Sequence, residues 1–442
     1  MGGAARLALA LMHAGRDVVM VVRDAAELAE ARALTTLFSP ELSGADPAIT
    51  QARWDAQWII FPQHPAGTRG RGAWAARMAS LYALSRREHP RGIIISVDNL
   101  LPKLPPVDIF EHHELRLPRG EDMSPELVLE QAIDWGFERA QMVSRPGEVA
   151  RRGDILDIFP PGYDKPLRLE FFGDTLEDIR LFDAASQRSL ASLEEFRLLP
   201  VAPVVGSREY REAAARRWKQ LRKDGIIDGE QAAALARMAE GEVTGLLPGA
   251  WYGNATWMED WLPRDAVWLL PDRADLTTAL EAARSSWDGF LDRQYDESRL
   301  RQPRALVLRD ADEAEAAWRG RSVAHFERLV MGVERTGVDL PERRLHAFRD
   351  LFPAPGDDDR PWQRLVTALR QWTAERRQVV LCFSSDRSRR KFLKLAEQDG
   401  VRPTLRYSPA DRGLYALVAP FRAGIDLAWD NVLVIGEDVL QP

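Results

Sequence analysis

Phosphate chemistry needs a glycine turn after a strand, backbone N–H groups facing the anion, and a Lys followed by Ser or Thr for the phosphates and magnesium. The opening "MGGAARLALA" offers only Gly2 and Gly3 ahead of a helical pattern, with no strand before them and no Lys, Ser or Thr. The pattern fails, and nucleotide binding there is not expected. "EHHE" (111–114) presents four metal-ligand types, but adjacent residues of an extended segment face opposite sides, so His112 and His113 do not easily share one ion. A solvated edge is the expectation there. The seven histidines form no H-E-x-x-H arrangement, "SSD" (384–386) is no nucleophile elbow, and the carboxylates of "PGDDD" lie in a linker. Neither a metal set nor a catalytic constellation is expected.

Two charged surfaces remain. The helix "ARRWKQLRKDG" carries Arg216, Arg217, Lys219, Arg222 and Lys223 around a Trp; with a formal net charge of -7, it reads as a solvated or interdomain face rather than a grip on nucleic acid. Trp251, Trp257 and Trp261 read as core and interdomain anchors. The second surface lies in "GEVARRGDILDIFPPGYDKPLRLEFFGDTLEDIRLFD" (147–183). Leu167, Leu169 and Phe171 alternate with Arg168, Glu170 and Phe172, "IRLF" (179–182) repeats the alternation, and Gly173-Asp174 supplies the turn. Arg152 stands before Gly153 at the start of a strand. Arg168, Glu170 and Phe172 thus share the face opposite the apolar set. An aromatic beside guanidinium groups is the composition of an interface centre, covered either by a separate partner or by another domain of the same chain.

The elements that must position these residues follow from periodicity. The chain has 442 residues, 45% of them hydrophobic, enough for several domains with their own cores. "DVVMVV", "QWIIFP" and "GIIISV" are continuous apolar runs between helical patterns, as in parallel strands buried on both faces. "PKLPPVDIF" interrupts that pattern near residue 115. "MSPELVLEQAIDWGFERAQ" (123–141) reads as a helix with Ser124 at its N-cap and Pro125 in its first turn, followed by the antiparallel meander to residue 200. Residues 201–325 hold the basic helix, a Trp-rich loop region and the strand "AVWLLP". A linker (326–361), ending in "LFPAPGDDDRP", leads to a second α/β pattern over 362–442: helices at 362–376 and 386–399, and strands at "QVVLCFS", near "TLRYS" and at "NVLVIGE". The chain then stops six residues after Gly436 and looks cut rather than finished. The single cysteine, Cys382, reads as a buried thiol and fits a cytoplasmic protein, and no apolar run is long enough to span a membrane.

Residues 146–200 carry, in order, "GEVARRGDILDIFP", "PLRLEFFGD", "DIRLFD" and "SQRS". So many ordered matches over this stretch resemble the N-terminal part of the bacterial transcription-repair coupling factors (Mfd), in the module that family shares with the excision-repair protein UvrB. "NLLPKLPP" and "DRGLYALVAPFRAGIDLAWDNVLVIGEDVL" resemble later family segments more loosely. The resemblance implies a multi-domain α/β chain: a UvrB-like parallel α/β domain in two parts (1–115 and 201–325), an inserted β-meander plus helix domain (116–200) that binds UvrA, and a small α/β domain (362–442). It places partner contacts on Arg152, Arg168 and Phe172, with Glu170 beside them on the same face. Arg151, where the family varies, leaves open which guanidinium does the pairing. The resemblance also implies no cofactor for this chain, with ATP and Mg handled by a motor, and RNA polymerase and DNA bound by modules, that this chain lacks. The chain then reads as a non-catalytic N-terminal fragment. The alternative is a UvrB-like nucleotide-dependent DNA-binding protein, which needs the absent G-K-[ST].

Overall fold

The four apolar runs of residues 17–270 do form strands of one sheet. The computed structural model describes residues 1–39, 53–63, 71–86, 91–240, 245–298, 301–326, 338, 340–352, 360–408, 410–419 and 421–440. The first sheet runs in the order Ser322–His325, Val267–Leu270, Val18–Val22, Gly92–Ser96, Trp58–Phe61. Every pairing is parallel. The central strands Val18–Val22 and Gly92–Ser96 are buried at each residue, as strands covered by helices on both faces must be. Segments before and after the meander therefore build one sheet.

The chain leaves this layer along Leu115–Pro118 and returns along Glu195–Leu198, and these two strands pair antiparallel. Between them a six-stranded sheet runs in the order Ser189–Ser192, Thr175–Phe182, Leu167–Phe172, Ile155–Ile158, Glu148–Arg152, Glu138–Arg139. It is antiparallel except at its last pair. The helix Pro125–Asp134 contributes Val128, Leu129 and Ala132 to the core that holds Leu156, Leu167, Leu169 and Ile179 from the sheet. The helix expected over 123–141 is thus shorter, because Gly136 takes a φ of 94° and turns the chain out of the helix after Trp135. Ser124 precedes it without a side-chain cap, its hydroxyl bonding the Glu126 carboxylate instead.

A second sheet has the order Glu342–Leu345, Gly424–Leu427, Val432–Gly436, Gln378–Phe383, Gly413–Val418, parallel over its last three strands and antiparallel over the first three. Three expectations are corrected here. Glu342–Leu345 lies inside the segment read as linker, yet it pairs as an edge strand, and Leu345 and Leu351 enter the core. One apolar residue in "ERRL" is too little for a period-two signal. The strand sought near "TLRYS" reduces to a bridge from Thr404 to Tyr415, and the strand is Gly413–Val418. "EHHE" is no solvated extended edge: Ile109–His112 is a helical turn, and His113 is buried between the rings of Trp135 and Tyr210. Cys382 is buried as read, and burial pushes its thiol up to about 12.

The buried His113 makes a pH prediction. Burial lowers its pKa from the ordinary 6.5, only partly opposed by the Ile109 carbonyl 2.9 Å from Nδ1. A depressed histidine binds fewer protons folded than unfolded, so its stabilisation is full above about 6.5 and is lost as pH falls toward the folded value. The melting temperature therefore falls between pH 7.5 and pH 5, and falls less in His113→Phe. An equal fall in both proteins assigns the effect to other groups.

A candidate docking face on two adjacent hairpins

Two hairpins with the same two-residue turn build the face. Arg152 pairs with Ile155 across Gly153-Asp154, and Phe172 pairs with Thr175 across Gly173-Asp174. Gly153 and Gly173 have φ of 59° and 62°, the positive value that a type II′ turn demands at its first position. No atom lies within 4 Å of a Cβ built on either glycine, so the backbone angle and not crowding calls for it. The Phe171 N–H donates to the Asp154 carbonyl at 2.9 Å, which holds the two tips side by side. Arg152, expected at the start of a strand, is instead the last residue before its turn.

The alternation read from "LRLEFF" is observed. Leu167, Leu169 and Phe171 are buried, Arg168 and Glu170 are half-buried on the other face, and Phe172 is 76% exposed. A bulge between Glu170 and Phe171 shifts the register but keeps Phe172 facing out at the tip. Ile155, also exposed, stands opposite Glu170. Glu170 lies 3.4 Å from Arg180, which Asp178 also holds at 2.5 Å.

Beneath this surface sits a carboxylate that sequence reasoning passed over. Asp157, 1% exposed, is the register partner of Arg168. Arg168 donates from Nε to Oδ1 at 2.7 Å and from Nη2 to Oδ2 at 2.8 Å, and Arg152 donates from Nη2 to the same Oδ2 at 3.3 Å. The Asp157 hydrogen bonds hold the Arg168 guanidinium above its usual value against the opposing effect of burial. The guanidinium also lies 4.8 Å from the ring centre of Phe182 and reaches Gln187 Oε1 at 3.4 Å. Phe182 is buried with Val143, Ala150 and Phe159 in a small core of its own on this side of the sheet. Gln187, the glutamine of "SQRS", has a φ of 59°, a left-handed turn held by its N–H to the Asp183 carbonyl. Of the two arginines, Arg151 pairs with Glu126 on the helix and donates to the Gly153 carbonyl, while Arg152 shares the Asp157 network.

The other candidates lie elsewhere. Gly2 and Gly3 open the helix Gly2–His13, where the Gly3 N–H donates to Glu342 Oε2 at 3.0 Å. A Cβ on Gly2 would stand 2.8 Å from Ile425 and Leu427, so strands of the second sheet close over the position where a phosphate loop would open. On the basic helix, Arg217 donates to the Gly249 and Ala250 carbonyls and Trp218 is buried, which leaves Arg216, Lys219, Arg222 and Lys223 as the solvated face. Trp251 and Trp261 are buried against Trp218 and Phe110, as core anchors. Among the described residues no group of three or more His, Cys, Asp or Glu is placed to hold a metal ion, and no helix is long and apolar enough to cross a membrane.

The stretch from Leu115 through both hairpins to the returning strand is also what a known family matches. Residues 115–203 match the UvrB interaction domain. Arg152, Arg168, Glu170 and Phe172 lie inside this UvrB interaction domain, together with Asp157 and Gln187. The chain is similar to the transcription-repair-coupling factor of Myxococcus xanthus, 34% identical over 205 residues, covering 44% of this chain and 17% of that protein. It is similar to that of Escherichia coli (strain K12), 35% identical over 127 residues, covering 28% of this chain and 11% of the relative. The Mycobacterium tuberculosis counterpart is 32% identical over 232 residues, or 47% and 19%. The matches thus span less than a fifth of these relatives' own lengths.

Proposed function

We propose that this chain is the UvrA-recruiting scaffold of a transcription-repair coupling factor, acting in the cytoplasm, in which the UvrB interaction domain presents Arg152, Arg168, Glu170 and Phe172 to UvrA. The observation that carries this reading is Phe172, a large aromatic left exposed at a rigid hairpin tip beside guanidinium groups already fixed in place. Exposed Ile155 stands on the same face, and aromatic and Arg side chains carry much of the energy where proteins dock. The two sheets and the inserted meander are arranged, in this reading, as in UvrB. Contact with stalled RNA polymerase, DNA translocation and ATP hydrolysis belong to modules outside this chain.

The chain itself works without nucleotide. The Glu342 carboxylate on the Gly3 amide supports this, because it places a negative charge of the protein's own where a phosphate would have to sit. Immobilised chain retains purified UvrA with no nucleotide added, and ATP leaves the retained amount unchanged. Failure to retain UvrA, or retention that requires ATP bound to this chain, contradicts the proposal.

A further inference from the structure

We propose that Asp157 is the positioning residue of the docking face, setting which nitrogen of Arg168 meets the partner; this rests on the docking reading above. A guanidinium carries five N–H donors in a rigid fork. Asp157 takes Nε and Nη2 of Arg168, and Gln187 lies against the same Nη2. Among the described residues Nη1 has no hydrogen-bond partner. The carboxylate therefore grips the fork from one side and leaves the two Nη1 donors for an incoming acceptor.

The surroundings make the grip one-sided by construction. Asp157 is buried, so water does not compete for its oxygens, and the Phe182 ring lies against Arg168. A long side chain held this way has little rotamer freedom left to lose when a partner arrives. Arg152 leans on the same Oδ2 from the neighbouring strand, yet its side chain remains 55% exposed. Arg152, Arg168 and Asp157 together carry one net positive charge, with Glu170 beside Ile155 held by Arg180. The surface that fits is a protein face offering one carboxylate next to an apolar socket.

Nη1 presentation requires both the fork and the carboxylate, which a double-mutant cycle on the full chain with purified UvrA separates from mere stability. Asp157→Asn weakens binding about tenfold or more in the wild-type background and under about twofold in Arg168→Ala, since its effect passes through that arginine. Arg168→Lys keeps a positive charge on Asp157, but it has no second nitrogen to present, and it loses about tenfold or more in binding while losing less melting temperature than Arg168→Ala. The thermal stability lost in Arg168→Ala is partly regained in Arg168→Ala/Asp157→Asn, because a buried charge left with Arg152 alone is gone, while binding is not regained. Equal weakening by Asp157→Asn in both backgrounds, or full binding by Arg168→Lys, overturns the positioning role. If wild type binds UvrA and Arg168→Ala does not, the docking reading stands whatever Asp157 does. A wild-type chain that does not bind UvrA removes both.

Discussion

UvrA retention falls to background when Arg168→Ala and Phe172→Ala are combined. Each is a candidate hot spot worth roughly 1 to 4 kcal/mol, and about 1.4 kcal/mol is a tenfold change, so the pair removes more than about one order of magnitude of affinity. The two residues reach that loss differently. Phe172 is largely exposed and packs little against its own chain, so Phe172→Ala changes folding stability by only about 0.5 kcal/mol or less while it removes the apolar anchor. Arg168→Ala also strips Asp157 of its two shortest hydrogen bonds and leaves it only Arg152, which lowers stability by about 2 kcal/mol. Thermal unfolding beside the retention assay separates the two contributions. Undiminished retention by the folded double variant contradicts the assignment of this face.

The second large effect is on folding. Gly136→Val lowers stability by about 3 to 5 kcal/mol, from strain and overpacking together. The residue has a φ of 94°, and a Cβ there would stand 2.4 Å from the Ala202 Cβ and 3.2 Å from the Ala202 nitrogen. Backbone on both sides fixes that approach: the Trp135 carbonyl accepts from Val201 at 3.0 Å and from Ala202 at 3.3 Å. This is where the helix of the UvrB interaction domain is tied to the chain's way out of the domain. Urea unfolding of Gly136→Val shows an early transition for that domain; a midpoint equal to wild type contradicts this account of the junction.

What was legible in the sequence depended on how local its cause was. The strands Val18–Val22 and Gly92–Ser96 announce themselves because burial on both faces demands an unbroken apolar run. The outward placement of Arg168, Glu170 and Phe172 follows from period two alone, and it survives a bulge because the bulge falls just before the tip. Asp157 was invisible for the opposite reason. In "GDILDIFP" it sits at an outward position, where a carboxylate reads as solvated, and it is buried by guanidinium groups from two flanking strands. The burial of His113 between Trp135 and Tyr210 likewise depends on residues distant in the chain. Glu342–Leu345 joins its sheet through partners more than 75 residues away, so its own four residues say little.

Hydrogen–deuterium exchange of the chain with and without UvrA tests the central claim most directly, because it reports where the partner sits. Protection concentrated at residues 150–157 and 167–175, the two hairpin tips and the strands leading to them, is the expected result. Protection confined to the basic helix Arg208–Lys223 or to the second sheet, with both tips exchanging as in the free chain, would contradict it.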